Sequence, residues 1–598
     1  MMSELLSGLN EQQQRAVIST APVILCIAGA GSGKTTVLTK RVSNLVLNHG
    51  IKTSNILCLT FTRLAGLEMK ERVIKLIGED EAKELFSNTF DAFAVSVLKE
   101  HGHLLGIEEN FSIYDQEDRN ELFKKIIVDL GSRTTLSKVV ERHEKCSDVR
   151  EERRVYPEEC RVLEEYGYRC KQNNAVDLNR LVDLVIRLWE LNPTILALYQ
   201  NRYSYVFVDE FQDTDKEQAY MVDLLRARNL FIVGDADQSI YEWRGAKVDF
   251  IVNFEKNNPG CEVITLEDNY RSTEQIVEVA NRLIRFNVKR VDKKLIAHKS
   301  GCAVNLSRYD DTYKENVAVA DAVAAMSQDM PYKDIAVLAR TNAKLDSIKW
   351  ELERRGLPCL RVGGQEDPYK APMVKRIIDW MYFMQNNTDD MAFKRVFKSF
   401  AINSIKMAEI ELYALNMEVS LCQASLNFSV GQLFFESASL PISEAISAVE
   451  DSPLAHVTAI RNVIVGTQSE VDRAIPVIER WQASKQRVNE DYSVKAFLKH
   501  LRFRDIQEKL TEKKDAINLM TIHGSKGLEF DTVYLVGMNQ GVFPSKRGEI
   551  EEERRLAYVA ATRAKNRLHL TYADAVSDWN GNMISAVPSQ FLDEFGLN

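Results

Sequence analysis

Six apolar residues, Val23 to Ala28, run straight into Gly29-Ala30-Gly31-Ser32-Gly33, and Lys34-Thr35-Thr36 then opens a helical pattern that reaches Asn48. A strand that breaks into a glycine-rich turn and resumes as a helix packs that helix back across its own sheet, which confines the chain to a parallel α/β architecture. Such glycines let main-chain N–H groups crowd around a phosphate, and the start of the helix adds positive potential. The segment from Ala28 to Thr36 therefore reads as a nucleotide phosphate loop. In it Lys34 reaches the β- and γ-phosphates and the Thr35 hydroxyl ligates Mg2+. Ala28 stands where a glycine is usual, but the phosphate-facing glycines remain.

Further short apolar runs at Asn55–Phe61, Tyr205–Val208, Leu230–Val233, Val263–Leu266, Ile335–Ala339, Ile517–Ile522, Val533–Val536 and Leu568–Tyr572 read as strands buried on both faces. Helical patterns lie between many of them, as at Ala65–Leu76, and the strands fall into two sets. The chain of 598 residues thus holds two α/β domains, the second in two sequence pieces. Residues ~95–200, dense in charge, and ~372–512 lack the alternation and read as helical insertions.

Lys and Arg total 77 against 86 Asp and Glu, a net charge of −9, so bulk attraction to a polyanion is excluded and a nucleic-acid site has to be local. Nine cysteines without a CxxC pair argue against a disulfide framework. Cys146, Cys160 and Cys170, the one cluster, read as ordinary buried thiols rather than metal ligands. The polar N-terminus and the lack of any apolar run near ~18 residues lead to an expectation of a cytoplasmic protein with no membrane partner.

The strand Tyr205-Val-Phe-Val208 ends in Asp209-Glu210, two carboxylates at the edge where α/β sheets place their ligands. Asp209 is suited to hold the Mg2+ of a bound nucleotide, and Glu210 to orient and deprotonate the attacking water. Phosphoryl transfer also needs cations where charge spreads on the γ-phosphate, and Arg271 and Arg563 are candidates. Tyr241 and Trp243 beside Arg244 combine aromatic faces with a cation, which fits either core packing or a stacking site for single-stranded nucleic acid. The basic stretch Arg282, Arg285, Lys289, Arg290, Lys293, Lys294 reads as a solvated helix surface ahead of a phosphate-tracking face.

Nine segments in order resemble the UvrD/Rep/PcrA group of superfamily 1 DNA helicases: Leu9–Gln13, AGAGSGKT (28–35), TFTRLAGLEMKER (60–72), VDEFQDT (208–214), VGDADQSIYEWRGA (233–246), NYRST (269–273), IAVLARTN (335–342), TIHGSKGLEF (521–530) and EEERRLAYVAATRA (551–564). The resemblance extends to PSQFL at 588–592. It implies two RecA-like motor domains, residues 1–94 with 200–266 and 267–371 with 513–598, carrying helical insertions at 95–199 and 372–512. It further implies that Gln13 reads the adenine, Tyr270 stacks on it, and Arg271 and Arg563 sense the γ-phosphate. Gln238 would link that phosphate to the DNA-facing residues, with Gly527 and Glu529 on the nucleotide's far side. DNA-facing positions by the same resemblance are Phe61, Thr62, Phe90, Tyr241, Trp243, Arg244, Arg340, Asn342 and His523. The implied activity is ATP-driven 3′ to 5′ movement on single-stranded DNA with duplex unwinding at single-strand/duplex junctions. Repair, replication or nuclease proteins are the expected kinds of partner.

Three departures from the family pattern bear on DNA. Thr89-Phe90-Asp91-Ala92 replaces Thr-Phe-His-Ser, Asp177-Leu178-Asn179-Arg180 replaces Asp-Phe-Asp-Asp, and Ser399-Phe-Ala-Ile-Asn403 stands in place of the Gly-Ile-Gly turn that would donate N–H groups to a duplex phosphate. Two rivals stay open on sequence alone. One is a translocase that displaces proteins or feeds a nuclease with little unwinding; the other is a nucleotide-switched DNA-binding module.

Overall fold

In the computed structural model, residues 2–145, 155–361, 369, 372–398, 404–447, 450–461, 468–487, 490–503, 515–577 and 583–597 are described. The segment 399–403, expected to replace the duplex-binding turn, and Cys146 lie outside them. The chain divides into two compact units. One comprises Met1–Phe90, Asn192–Gly364 and Asp505–Asn598; the other comprises Asp91–Leu191 and Gln365–Arg504.

The first unit holds two six-stranded sheets. Strands β1 (Val23–Ala28), β2 (Ile56–Thr60), β3 (Phe86–Thr89), β4 (Tyr205–Val208), β5 (Asn229–Gly234) and β6 (Glu262–Leu266) pair in the order β3-β2-β4-β5-β1-β6, every pair parallel. Strands β7 (Asn305–Tyr309), β8 (Ile335–Ala339), β9 (Cys359–Arg361), β10 (Ile517–Thr521), β11 (Phe530–Val536) and β12 (Ala564–Ala573) pair in the order β7-β12-β11-β8-β10-β9, also parallel throughout. Two RecA-like α/β motor domains are thus built on sheets whose central strands are largely apolar. The strands β2 and β8 are buried at every position, as helices on both faces of a parallel sheet require.

Helices α1 (Lys34–His49) and α2 (Arg63–Ile77) follow β1 and β2; α3 (Glu274–Ile284), α4 (Asn342–Arg354) and α5 (Ile550–Ala561) belong to the second sheet. Local signals set their ends. Gly50, with φ 66°, closes α1, while the Thr62 hydroxyl accepts from Ala65 N–H to cap α2.

The second unit packs the two insertions together as one body, not as separate appendages. Its cores gather Tyr114, Phe123 and Tyr166 from the first insertion and Trp380, Phe393 and Phe434 from the second. Tyr114 Oη donates to Asp389 at 2.8 Å and Asn386 Nδ2 to Asn173 O at 3.1 Å, tying one insertion to the other. Among the described residues the unit is mainly helical, with a short parallel ladder of Ser112–Tyr114 against Ala175–Asp177. Asp177 serves structure there: it accepts from Tyr166 Oη at 2.7 Å, sits 3.1 Å from His143 Nε2, and caps the turn through Asn179 N–H. Cys160 and Cys170 are buried, and burial pushes the Cys170 thiol up to about 12. Among the described residues no helix is long and apolar enough to cross a membrane.

Candidate nucleotide and DNA site

The loop between β1 and α1 is shaped by its glycines. Gly31 and Gly33 hold φ of 67° and 81°, and a Cβ on Gly31 would stand 2.7 Å from Arg271 Cβ, so both conformation and space require glycine. Ser32 spends its hydroxyl inside the loop, donating to Gly29 O at 2.8 Å. The N–H groups of Lys34, Thr35 and Thr36, in the first turn of α1, have no partner within the helix and are the donors an anion would take. Ala28 and Ala30 are buried beneath. Gln13, 4% exposed, reaches the loop from a helix capped by Asn10 and donates Nε2–H to Ser32 O at 2.9 Å.

Opposite the loop, Asp209 and Glu210 end β4. Glu210 holds φ 53°, ψ 41°, a left-handed conformation that costs a residue with a Cβ about 1–2 kcal/mol. Its Oε1 lies 3.3 Å from Lys34 Nζ, and Gln212 Nε2 bonds its other oxygen. Burial alone would raise the Glu210 carboxyl, but Lys34, Lys526 and the Gln212 hydrogen bond hold it well below the usual range. Asp209 moves the other way: burial and the neighbouring Glu210 charge raise it, with Lys34 only partly opposing. One acid of the pair is therefore firmly ionised and the other is short of positive charge. A divalent ion on Asp209 would relieve that shortage, so the acids fit the Mg2+ expected with Thr35. Mg2+ held by few protein oxygens is completed by phosphates and water.

The second sheet supplies the arginines. Arg563, 2% exposed, precedes β12; its guanidinium donates to Val559 O at 3.0 Å, Leu528 O at 3.1 Å and Gln238 Oε1 at 3.3 Å. Arg271 donates to Glu529 at 2.7 Å and to Thr562 O at 3.3 Å, and Glu529 also pairs with Lys565 at 2.8 Å. Gly527, φ 81°, gives the turn that sets Glu529 near this pair. Tyr270 is half exposed, and its N–H donates to Gly31 O at 3.0 Å.

Several residues not singled out from sequence hold these in place. Asn269 donates to Ala30 O at 2.7 Å and accepts from the N–H groups of Arg271 and Ser272, locking that turn onto the phosphate loop. Lys526 bonds Asp213 and donates to Gln238 O at 2.6 Å. Each lies inside a quoted segment, so the motifs contained the signal, but neither pairing could be read without knowing which loops meet. The basic stretch is corrected. Lys293 is 7% exposed, with Nζ 2.6 Å from Asp235 and also bonded to Asp237, which Arg290 contacts at 3.3 Å. The helix ends at Ile284, so Arg290 and Lys293 lie on irregular chain and neutralise two buried acids instead of facing solvent.

The proposed DNA-facing residues fall into two groups. Phe61 stacks on Tyr241 at 4.9 Å, Trp243 is 64% exposed, and Arg244 lies 4.9 Å from the Trp243 ring and 5.5 Å from Tyr241. His523 meets the Trp243 edge at 6.4 Å, and its carbonyl accepts from Tyr241 Oη at 3.3 Å. Burial, with Arg340, Arg244 and Lys526 nearby, pushes the His523 imidazole down to about 4. Phe90 is a correction: it is 4% exposed, packed at the start of its helix, so no ring face is presented for a base. Thr62 is occupied as the α2 cap, Arg340 is held by both oxygens of Glu553 at 2.8–3.2 Å, and Asn342, exposed at the start of α4, accepts from Arg361 at 2.7 Å.

Residues 9–259 match the UvrD/REP helicase N-terminal domain, and residues 264–427 and 466–575 match the UvrD-like helicase C-terminal domain. The chain is 32% identical to the ATP-dependent DNA helicase PcrA of Leuconostoc citreum over 99% of its own length and 85% of the relative's. With the PcrA of Bacillus subtilis the identity is 34% over 96% and 83%, and with that of Staphylococcus aureus 32% over 99% and 87%. On these matches, with two parallel sheets meeting at a phosphate loop and its arginines, the chain belongs to the UvrD/Rep helicase family.

Proposed function

We propose that the protein is an ATP-dependent DNA helicase that moves 3′ to 5′ along single-stranded DNA and opens duplexes at single-strand/duplex junctions, in repair, replication or recombination. The observation that carries this reading is a continuous set of contacts from the arginine to the aromatic cluster. Arg563 touches Gln238 Oε1, Lys526 donates to Gln238 O, and the same Lys526 ammonium lies 5.2 Å from the centre of the Tyr241 ring. A change at a phosphate sensed by Arg563 thereby reaches the base-stacking residues through two side chains, as coupling hydrolysis to movement requires.

Within this reading, Lys34 and the N–H groups at the head of α1 bind the β- and γ-phosphates of ATP. Asp209 and Thr35 hold Mg2+, which neutralises phosphate charge when bound. Glu210, kept ionised by Lys34 and Lys526, orients the attacking water and takes its proton. Arg271 and Arg563 stabilise the charge that spreads over the transferred phosphoryl group. Gln13 and Tyr270 bind the base, with Gly527 and Glu529 beside it. Phe61, Tyr241, Trp243, Arg244 and His523 track single-stranded DNA, bases stacking on the exposed ring of Trp243.

The test is ATP-driven strand separation on matched duplexes bearing a 3′ tail, a 5′ tail or none, with Lys34→Ala as control. Separation of the 3′-tailed duplex alone, lost in the variant, is expected. DNA-stimulated hydrolysis without separation on any substrate overturns the unwinding activity in favour of a translocase working for a partner protein. Hydrolysis that single-stranded DNA fails to stimulate overturns the motor itself.

A further inference from the structure

Tyr270 is 51% exposed, and ordering so free a ring each time a base stacks on it costs side-chain entropy. Three contacts order it beforehand. Its ring lies parallel to that of His298, with centroids 5.3 Å apart and planes 12° from one another. Its hydroxyl accepts from Asn10 Nδ2 at 3.1 Å, and its N–H donates to Gly31 O.

The backbone explains why His298 stands there. Ile296 pairs with Asp268 and Ala297 with Asn269 in a two-residue parallel ladder, so the next residue on each side, His298 and Tyr270, come abreast. His298 Nε2 lies 2.6 Å from Asp268 Oδ1. That contact anchors one edge of the imidazole and so holds its ring in place against Tyr270. The other Asp268 oxygen takes a hydrogen bond from Asn10, whose own carbonyl oxygen accepts from Gln13 N–H at 2.7 Å. One network therefore holds Gln13, Tyr270 and His298 relative to the phosphate loop.

We propose that His298 is a positioning residue for the nucleotide base: it covers one face of Tyr270 so that the opposite face is presented, already ordered, to the purine of a nucleoside triphosphate. The proposal rests on the adenine-facing reading of Tyr270 and adds the element that makes the ring selective. A purine covers more of a fixed ring than a pyrimidine does, so a backed Tyr270 favours ATP and GTP over UTP and CTP, whereas a loose ring discriminates less.

The experiment is steady-state hydrolysis of ATP and UTP at saturating single-stranded DNA by the full chain and its His298→Ala, His298→Phe and Tyr270→Ala variants, with fluorescent ATP-analogue titration as a direct binding readout. In His298→Ala the KM for ATP is expected to rise about 3–10-fold with kcat within twofold, and the KM for UTP to change less. His298→Phe, which keeps a ring behind Tyr270, is expected to restore most of the ATP affinity; a role for His298 in folding alone predicts neither the KM-only effect nor this rescue. An unchanged KM in His298→Ala, with a raised one in Tyr270→Ala, overturns the proposal and leaves the Tyr270 reading standing. An unchanged KM in both overturns the two together.

Discussion

The amide oxygen of Gln238 accepts a hydrogen bond from Arg563 Nη2 at 3.3 Å, joining a residue that follows β5 of the first sheet to one that precedes β12 of the second. Asp235 receives the Gln238 Nε2–H at 2.7 Å, so the direction in which the amide oxygen points is set by a neighbour and does not depend on the arginine. Gln238→Ala is expected to lower DNA-stimulated kcat about 10–100-fold while KM for ATP stays within about threefold, because it removes a link and leaves the phosphate contacts. Arg563→Ala should cost more, about 10³–10⁵ in kcat. Equal losses in the two variants would show that Gln238 acts through chemistry and not through coupling.

Trp243 is the aromatic residue of its cluster with most surface to offer. Trp243→Ala is expected to weaken single-stranded DNA binding by about 1–3 kcal/mol, with Trp243→Phe in between. Fluorescence anisotropy with a labelled oligonucleotide measures this, and an unaltered affinity would remove Trp243 from the track.

Arg340 shares its charge with Glu553 and so contributes to DNA binding only if it can exchange one anion for another. If it contacts a phosphate, Arg340→Ala reduces the slope of log affinity against log salt by about one. A slope equal to that of the unaltered protein would mean that the Glu553 pair persists on DNA.

The depressed His523 imidazole carries a signed pH effect. Its ordinary value is 6.5 and its folded value about 4. An unfolded chain therefore binds the proton first as pH falls, and the contribution to stability, full above 6.5, declines toward 4. By pH 5 the loss is about 2 kcal/mol at most. Thermal unfolding at pH 7.5 and pH 5.0 should show a smaller drop for His523→Asn than for the unaltered chain; parallel drops would mean that the imidazole titrates normally.

Lys293→Met would strand Asp235 and Asp237 without their buried cation. Breaking such a cluster costs about 3–5 kcal/mol. A fall in melting temperature of several degrees is the expected reading, and an unshifted transition would show that Arg290 alone suffices.

The sequence made the central strands and one edge, β6, legible and concealed the other three edges. Apolar runs marked β1, β2, β4, β5, β6, β8, β10, β11 and β12, whereas β3 (Phe86-Ser-Asn-Thr89), β7 (Asn305–Tyr309) and β9 (Cys359–Arg361) carry no such run. All three are sheet edges, where incomplete burial relaxes the demand for apolar side chains. The site divides in the same way. Lys34, Asp209 and Glu210 could be named because their chemistry is local to one turn or one strand end. The environments of Arg290, Lys293 and Arg340 depend on carboxylates that are distant in sequence, and a basic residue does not announce whether its partner will be water, a phosphate or a buried acid. Phe90 shows the converse, a motif position whose local burial differs from its expected exposure.

The strand order of the second sheet has a consequence for synthesis. The three strands made before the long insertion, β7, β8 and β9, have no hydrogen-bonded neighbour among themselves: β7 pairs with β12, β8 with β10 and β11, and β9 with β10. A ribosome that has translated as far as the end of the insertion therefore holds half a sheet whose every edge is unsatisfied, while the first sheet has been complete since Leu266. Nascent chains halted there should be cut by protease within residues 305–361 and spared within the strands β1 to β6, and this is a stage at which a holding chaperone has much to cover.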